Sequence, residues 1–171
     1  MMILDSTKNE IDKSEGNTKL YDNLNDSISK GDINAIVIAS RTGNLSLKIA
    51  EKFKGVKLVS VTEFLYSDDV KKEMKKANIN YIEKSDLPIQ DKATVRDTLL
   101  MFGSGVKTAI EVATIAADKG LVSGKVISIS GGKKGVDTAL LIKTSKTNNM
   151  FDPDPEKRLA VIDFLIFNNS I

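Results

Sequence analysis

The chain has no cysteine and no histidine among its 171 residues. Without cysteine there is no disulfide, no thiolate nucleophile and no cysteine-based zinc site. Without histidine the commonest general base and metal ligand is missing, so histidine-dependent triads and imidazole-bearing zinc sites are excluded. Aromatic residues make up only 5% of the chain, and 25 basic residues are offset by 23 acidic ones spread along its length, for a net charge of +2. A nucleic-acid binder would more often concentrate its basic residues on one face among aromatic stacking platforms, so no nucleic-acid partner is expected. No apolar run reaches the roughly 18 residues needed to span a bilayer, and the N-terminus lacks the basic and apolar regions of a secretory signal. The expectation is a cytoplasmic protein with no membrane partner and no metal.

What is present is the length and apolar content, 41%, of one ordinary α/β domain. Residues 1–16 are polar after the first four and show no sustained period, which predicts a mobile N-terminal arm ahead of a single domain over 17–171. Leu20, Leu24 and Ile28 then recur every fourth residue, predicting a helix capped by Asn17 or Thr18 and closed by Gly31. INAIVIAS reads as a buried parallel strand. A polar turn over Ser40–Asn44 leads into a helix bearing Leu45, Ile49 and Phe53 and ending at Gly55. Val56–Val61 predicts a second strand, DDVKKEMKKAN a helix with a solvated lysine face, and Tyr81–Glu83 a short strand. A loop containing Pro88 precedes a helix over Ala93–Met101.

The most strongly patterned stretch is Phe102–Lys143. Val106, Ile110, Ala113 and Ala117 form one apolar stripe with small residues, suited to a helix lying close on a sheet, and Gly120 stands where a left-handed C-terminal residue belongs. Two β-branched runs, Val126–Ile129 and Val136–Ile142, flank Gly131, Gly132 and Gly135, predicting a hairpin with a permissive loop. A turn-rich segment with Pro153 and Pro155 follows, and LAVIDFLIF closes the pattern as helix or strand. Alternation of strands and helices predicts a three-layer α/β sandwich with a mostly parallel sheet and an antiparallel edge hairpin. Ligands of such sheets sit beyond the carboxyl ends of the strands.

Both candidate loops follow strands at that end. Ser40, Arg41, Thr42, Gly43 and Asn44 either capture a phosphate at a helix N-terminus, with Arg41 as a bidentate donor, or merely cap the helix through Thr42 or Asn44. Gly131, Gly132, Lys133, Lys134 and Gly135 either cradle an anion or form an exposed hairpin loop whose lysines guard the sheet edge. The spacing is not that of a Walker motif. Gly103, Gly105 and Lys107 precede the alanine-rich helix, as a ligand-approach loop or a plain turn, and Thr62, just after the second strand, joins the same set. Asp137 and Thr138 suit local hydrogen bonds better than contacts to a sugar hydroxyl. Glu63 is the one acid after the second strand that could accept a proton, but it has no paired acid, so no catalytic residue is assigned.

Phe102, Gly105 and Lys107, then Ala116, Asp118 and Gly120, then Gly131, Gly132, Gly135, Asp137, Thr138 and Ala139 together resemble the stand-alone relatives of the pyruvate kinase C-terminal α/β domain. GNTKLYDNL and IVIASRTGNLSLKIAE extend the resemblance over most of the chain. In pyruvate kinases the corresponding domain is regulatory, and a Thr/Ser-Gly turn holds an effector phosphate. The catalytic barrel has no counterpart here, so the resemblance implies a small-ligand module without pyruvate kinase activity, with flavin mononucleotide (FMN) as the implied cofactor. Two departures stand out: Leu45 and Ser46 replace the hydroxyl and alanine of the effector turn, and EFLYSDD replaces a longer polar loop. A flavin-dependent oxidoreductase and a ligand-free assembly domain, homo-oligomeric through its terminal segment, are the alternatives.

Overall fold

Residues 126–130 alternate two kinds of side chain, and this alternation explains the layering. Ile127 and Ile129 are fully buried on one face, while Val126, Ser128 and Ser130 turn to the other, where small hydroxyl side chains let a helix approach. A computed structural model describes residues 15–132 and 135–168. Its elements are α1 (Glu15–Ser29), β1 (Ile33–Ala39), α2 (Asn44–Lys52), β2 (Lys57–Val61), α3 (Asp68–Lys76), β3 (Ile79–Ile82), α4 (Ala93–Leu100), α5 (Ser104–Asp118), β4 (Lys125–Gly132), β5 (Gly135–Lys143) and β6 (Ala160–Phe167).

The strands form one mixed sheet in the order β3-β2-β1-β4-β5-β6. The first four are parallel, and β4, β5 and β6 are antiparallel neighbours. The chain steps outward from β1 to β2 to β3, then returns to place β4 on the other side of β1. Crossovers of one hand put helices on one face while the strands advance in one direction and on the opposite face when the direction reverses. Accordingly α1, α2 and α3 pack through Leu24, Ile49, Phe53 and Met74 on the face of Ile36, Ile38 and Ile127, whereas α5 covers Val37, Val59 and Val126.

The helix α5 is buried from Val106 to Ala117 except at Thr108. Ser128 Oγ donates to the Ala109 carbonyl at 2.6 Å and Ser130 Oγ to that of Gly105 at 2.7 Å, so hydroxyls of β4 are satisfied by the helix backbone itself. Gly105 allows this approach, because a Cβ there would lie 2.2 Å from Thr138 Oγ1 and 2.6 Å from Asp137 Oδ1. At the far end Gly120 takes φ +72°, with the Leu121 N–H bonded to Ala116 C=O and the Gly120 N–H to Ala117 C=O, each at 3.0 Å. This is the Schellman termination expected of a glycine after the helix.

Several boundaries differ from those predicted. The predicted arm over 1–16 lies outside the described residues up to 14, but residues 15 and 16 already belong to α1, so Asn17 and Thr18 are interior rather than capping. The closing apolar segment is a strand, and it extends the predicted edge hairpin into a three-stranded antiparallel half-sheet. The glycine-rich loop is mostly ladder: Gly131 pairs with Val136 and Gly132 with Gly135, after a register shift at Ser130. Glycine's lack of a side chain leaves pairing intact, so strand boundaries cannot be read from its position alone. Among the described residues no helix is long and apolar enough to cross a membrane.

Replacing Gly105 with alanine overpacks the α5–β5 contact and is expected to cost about 1–3 kcal/mol in urea unfolding. The double variant Gly105→Ala/Thr138→Ala is expected to recover part of that loss. A Gly105→Ala variant as stable as the parent would contradict the packing described.

Candidate functional site

Because β1 is followed outward by β2 and inward by β4, its carboxyl end is the point where the chain's direction across the sheet reverses. Loops diverge there and leave a crevice. A cavity of about 300 Å³ occupies it, lined by Ser40 and Arg41 after β1, Thr62, Glu63 and Phe64 after β2, Gly131 of β4, and Lys107 and Glu111 of α5. A second hollow of about 450 Å³ adjoins it between the starts of α2 and α3, lined by Arg41, Thr42, Asn44, Phe64, Leu65 and Ser67. Arg41 and Phe64 line both. The Arg41 guanidinium lies 4.3 Å from the centre of the Phe64 ring, a cation–π contact that holds the charge between the two hollows.

The local structure of the first loop is set by buried hydroxyls. Ser40 Oγ accepts the Gly43 N–H at 3.1 Å, and the Ser40 carbonyl accepts the Tyr66 hydroxyl at 2.8 Å. Tyr66 also lies 2.7 Å from Ser60 Oγ, which lies 2.6 Å from Ser46 Oγ, so three side chains and the Ser40 carbonyl form one buried chain of hydrogen bonds beneath the turn. Ser46 is therefore bound inside the protein. Gly43 is the N-cap of α2, in a left-handed conformation of φ +88°, and a Cβ there would come within 2.5 Å of Met74 and Val70. Among the described residues no side chain caps α2, so of the two readings of the turn, capping by Thr42 or Asn44 does not occur.

The third wall is electrostatic. Lys107 Nζ and Glu111 Oε1 are 2.6 Å apart, one helical turn from each other and both buried. Glu111 Oε2 accepts the N–H groups of Ile89 and Gln90 at 2.9 and 2.8 Å, which ties the loop between β3 and α4 to α5. A buried carboxylate with three donors is compensated, whereas removing its partners would strand a charge.

Of the predicted site residues, Ser40, Arg41, Thr62, Lys107 and Gly131 share the rim cavity, and Thr42 and Asn44 line the adjoining hollow. Gly43 is buried against α3, and Gly105 packs on the chain's own Thr138 and Asp137, which occupy the space a ligand would need. Gly103 precedes α5 with φ +104° and lines neither hollow, and Gly132 is paired within the hairpin. Lys133 and Lys134 lie outside the described residues. Asp137 accepts the Thr138 hydroxyl at 2.9 Å, the local hydrogen bonding the sequence suggested, and burial pushes its carboxyl above the usual range.

Sequence reasoning missed Tyr66 and Glu111. Glu111 had a visible signal, a lone acid in an apolar helix one turn after Lys107. Tyr66 had none, since its partners come from three separate segments. No known protein-family model matches the sequence.

Burial pushes the Tyr66 phenol up to about 12, with the Glu83 charge adding to the rise and the Ser60 hydrogen bond opposing it. A phenol with a raised folded-state value stabilises the fold below its unfolded value of about 10, and that contribution is lost as pH climbs from about 10 towards 12. Alkaline titration of phenolate absorbance should show one late transition that disappears in Tyr66→Phe. An unchanged titration curve in the variant would contradict the buried network.

Proposed function

We propose that the chain binds a phosphorylated small molecule at the carboxyl-end rim of the sheet, with the phosphate at Arg41 and the body of the ligand reaching toward Lys107. The observation that carries this reading is the meeting of Arg41 and Lys107 at one crevice where the chain's path reverses, beside a helix N-terminus with no capping side chain among the described residues. The first-turn N–H groups of α2 and the Thr42 hydroxyl add donors suited to phosphate oxygens, and the partial positive charge of the helix start favours an anion. Arg41 supplies the planar fork that pairs with phosphate in two parallel bonds.

The glutamates do not remove this preference. Glu111 and Lys107 form a neutral buried pair, with Glu111 also held by two backbone donors, so the attraction for phosphate rests on Arg41 and the helix start, and Glu63 is exposed. Membership of the pyruvate kinase C-terminal domain-like family is part of the same proposal and rests on the sequence resemblance, as does FMN as the specific ligand. Phe64 and Leu65, both largely exposed beside Arg41, offer an apolar surface for a flat ring or sugar. No pyruvate kinase chemistry follows.

Calorimetric titration with FMN, riboflavin and ribose 5-phosphate separates the parts of this reading. Riboflavin, lacking the phosphate, is expected to bind at least about tenfold more weakly than FMN, and Arg41→Ala to weaken both phosphate esters about 10- to 100-fold, the worth of a charge-assisted pair. Lys72→Ala, an exposed α3 position that lines neither hollow, should leave affinity unchanged. Equal affinity in Arg41→Ala would overturn the site. Binding of ribose 5-phosphate but not FMN would overturn the flavin alone.

A further inference from the structure

The helical layer formed by α4 and α5 does not close over the whole sheet. α5 packs on β1, β2, β4 and β5, while Phe164 of β6, opposite the buried Leu140, is 44% exposed. The other side of β6 is held by α1, whose Asn23 Nδ2 donates to the Leu165 carbonyl at 2.9 Å. Between α4, α5 and the start of β6 runs a groove of about 420 Å³ whose floor is Val95, Leu99, Ile110, Met150 and Val161. It shares no lining residue with the rim cavity.

Two charged residues complete its lining, Asp152 and Arg158. They make no ion pair with each other, and the Arg158 side chain has no ion pair or hydrogen bond among the described residues. The acids nearest in sequence are engaged elsewhere. Asp154 pairs with Lys157 and accepts the Glu156 N–H, and Asp152 uses Oδ1 for the Asp154 N–H while Oδ2 has no partner among the described residues. The groove therefore offers an apolar floor with one unmatched cation and one carboxylate oxygen in reserve.

We infer that this groove binds a free α-amino acid with a large apolar side chain. Its carboxylate would meet Arg158, its ammonium Asp152, and its side chain would displace water from the floor. Charge complementarity selects this occupant. A purely apolar partner would bury both charges unpaired, and a simple carboxylate or amine would satisfy only one. An added strand is also disfavoured, because β6 carries two bulges, at Ile162 and Leu165, that turn its edge away from flat pairing.

The test is calorimetric titration of the full chain with L-leucine and L-phenylalanine, alongside 4-methylpentanoate and 3-methylbutylamine, which each lack one of the two charged groups. The amino acids are expected to bind at least roughly tenfold more tightly than either analogue, about one charge-assisted bond. Arg158→Gln is expected to erase the preference over 3-methylbutylamine and Asp152→Asn the preference over 4-methylpentanoate, and the asparagine keeps the acceptor for the Asp154 N–H. The inference is overturned by absent binding at millimolar amino acid, by analogues binding equally well, or by undiminished affinity in both variants. It is equally overturned if sedimentation shows a dimer that Phe151→Asp dissociates and that binds no amino acid, since the groove would then belong to a second copy.

Discussion

The close approach of α5 to β4 is the constraint on which the rest depends. Ser128 and Ser130 take hydrogen bonds into the helix backbone where larger residues would hold it off, and Gly105 lets its first turn settle on β5. A helix so deeply set buries nearly all its circumference, and this places Lys107 and Glu111 inside the protein rather than on its surface. Their ion pair then becomes a wall of the crevice beyond β1 and β4, and Glu111 draws the preceding loop down through two backbone N–H groups. Packing and electrostatics here are one arrangement seen from two sides.

The reversal of strand order turns that arrangement into a site. With β2 on one side of β1 and β4 on the other, the loops leaving them separate, and Arg41 stands in the gap over Phe64. The turn that carries Arg41 is rigid from below, since Ser40, Tyr66, Ser60 and Ser46 satisfy one another without solvent. Rigid support under a cation reduces the ordering cost of binding an anion. The amino-acid groove follows from a different feature, the two described helices on the α5 face falling short of a six-stranded sheet.

Much of this was legible in the sequence. The i, i+4, i+7, i+11 spacing of Val106, Ile110, Ala113 and Ala117 identified α5, the continuous apolar run at Ile36–Ile38 identified a central strand, and Gly120 marked a helix end correctly. The meeting of Arg41 with Gly131 followed from placing both after parallel strands. What could not be read was anything decided by distant partners. Gly105 looked like room for a ligand and is room for Thr138. Gly131 and Gly132 looked like loop and continue a ladder. Capping by Thr42 or Asn44 is one of two readings the turn allows, yet Gly43 takes the N-cap place, where Met74 and Val70 leave no space for a side chain. Tyr66 gave no periodic signal at all, because its role lies in three segments that only the fold assembles.

The central claim is that a phosphate ester sits where β1 and β4 part, with Arg41 between the two hollows. Amide chemical-shift mapping of the isotope-labelled chain during titration with FMN tests it most directly. The account predicts saturable shifts concentrated at Arg41, Thr42, Asn44, Thr62 and Gly131. Shifts confined to α4 and β6, or none at saturating ligand, would contradict it.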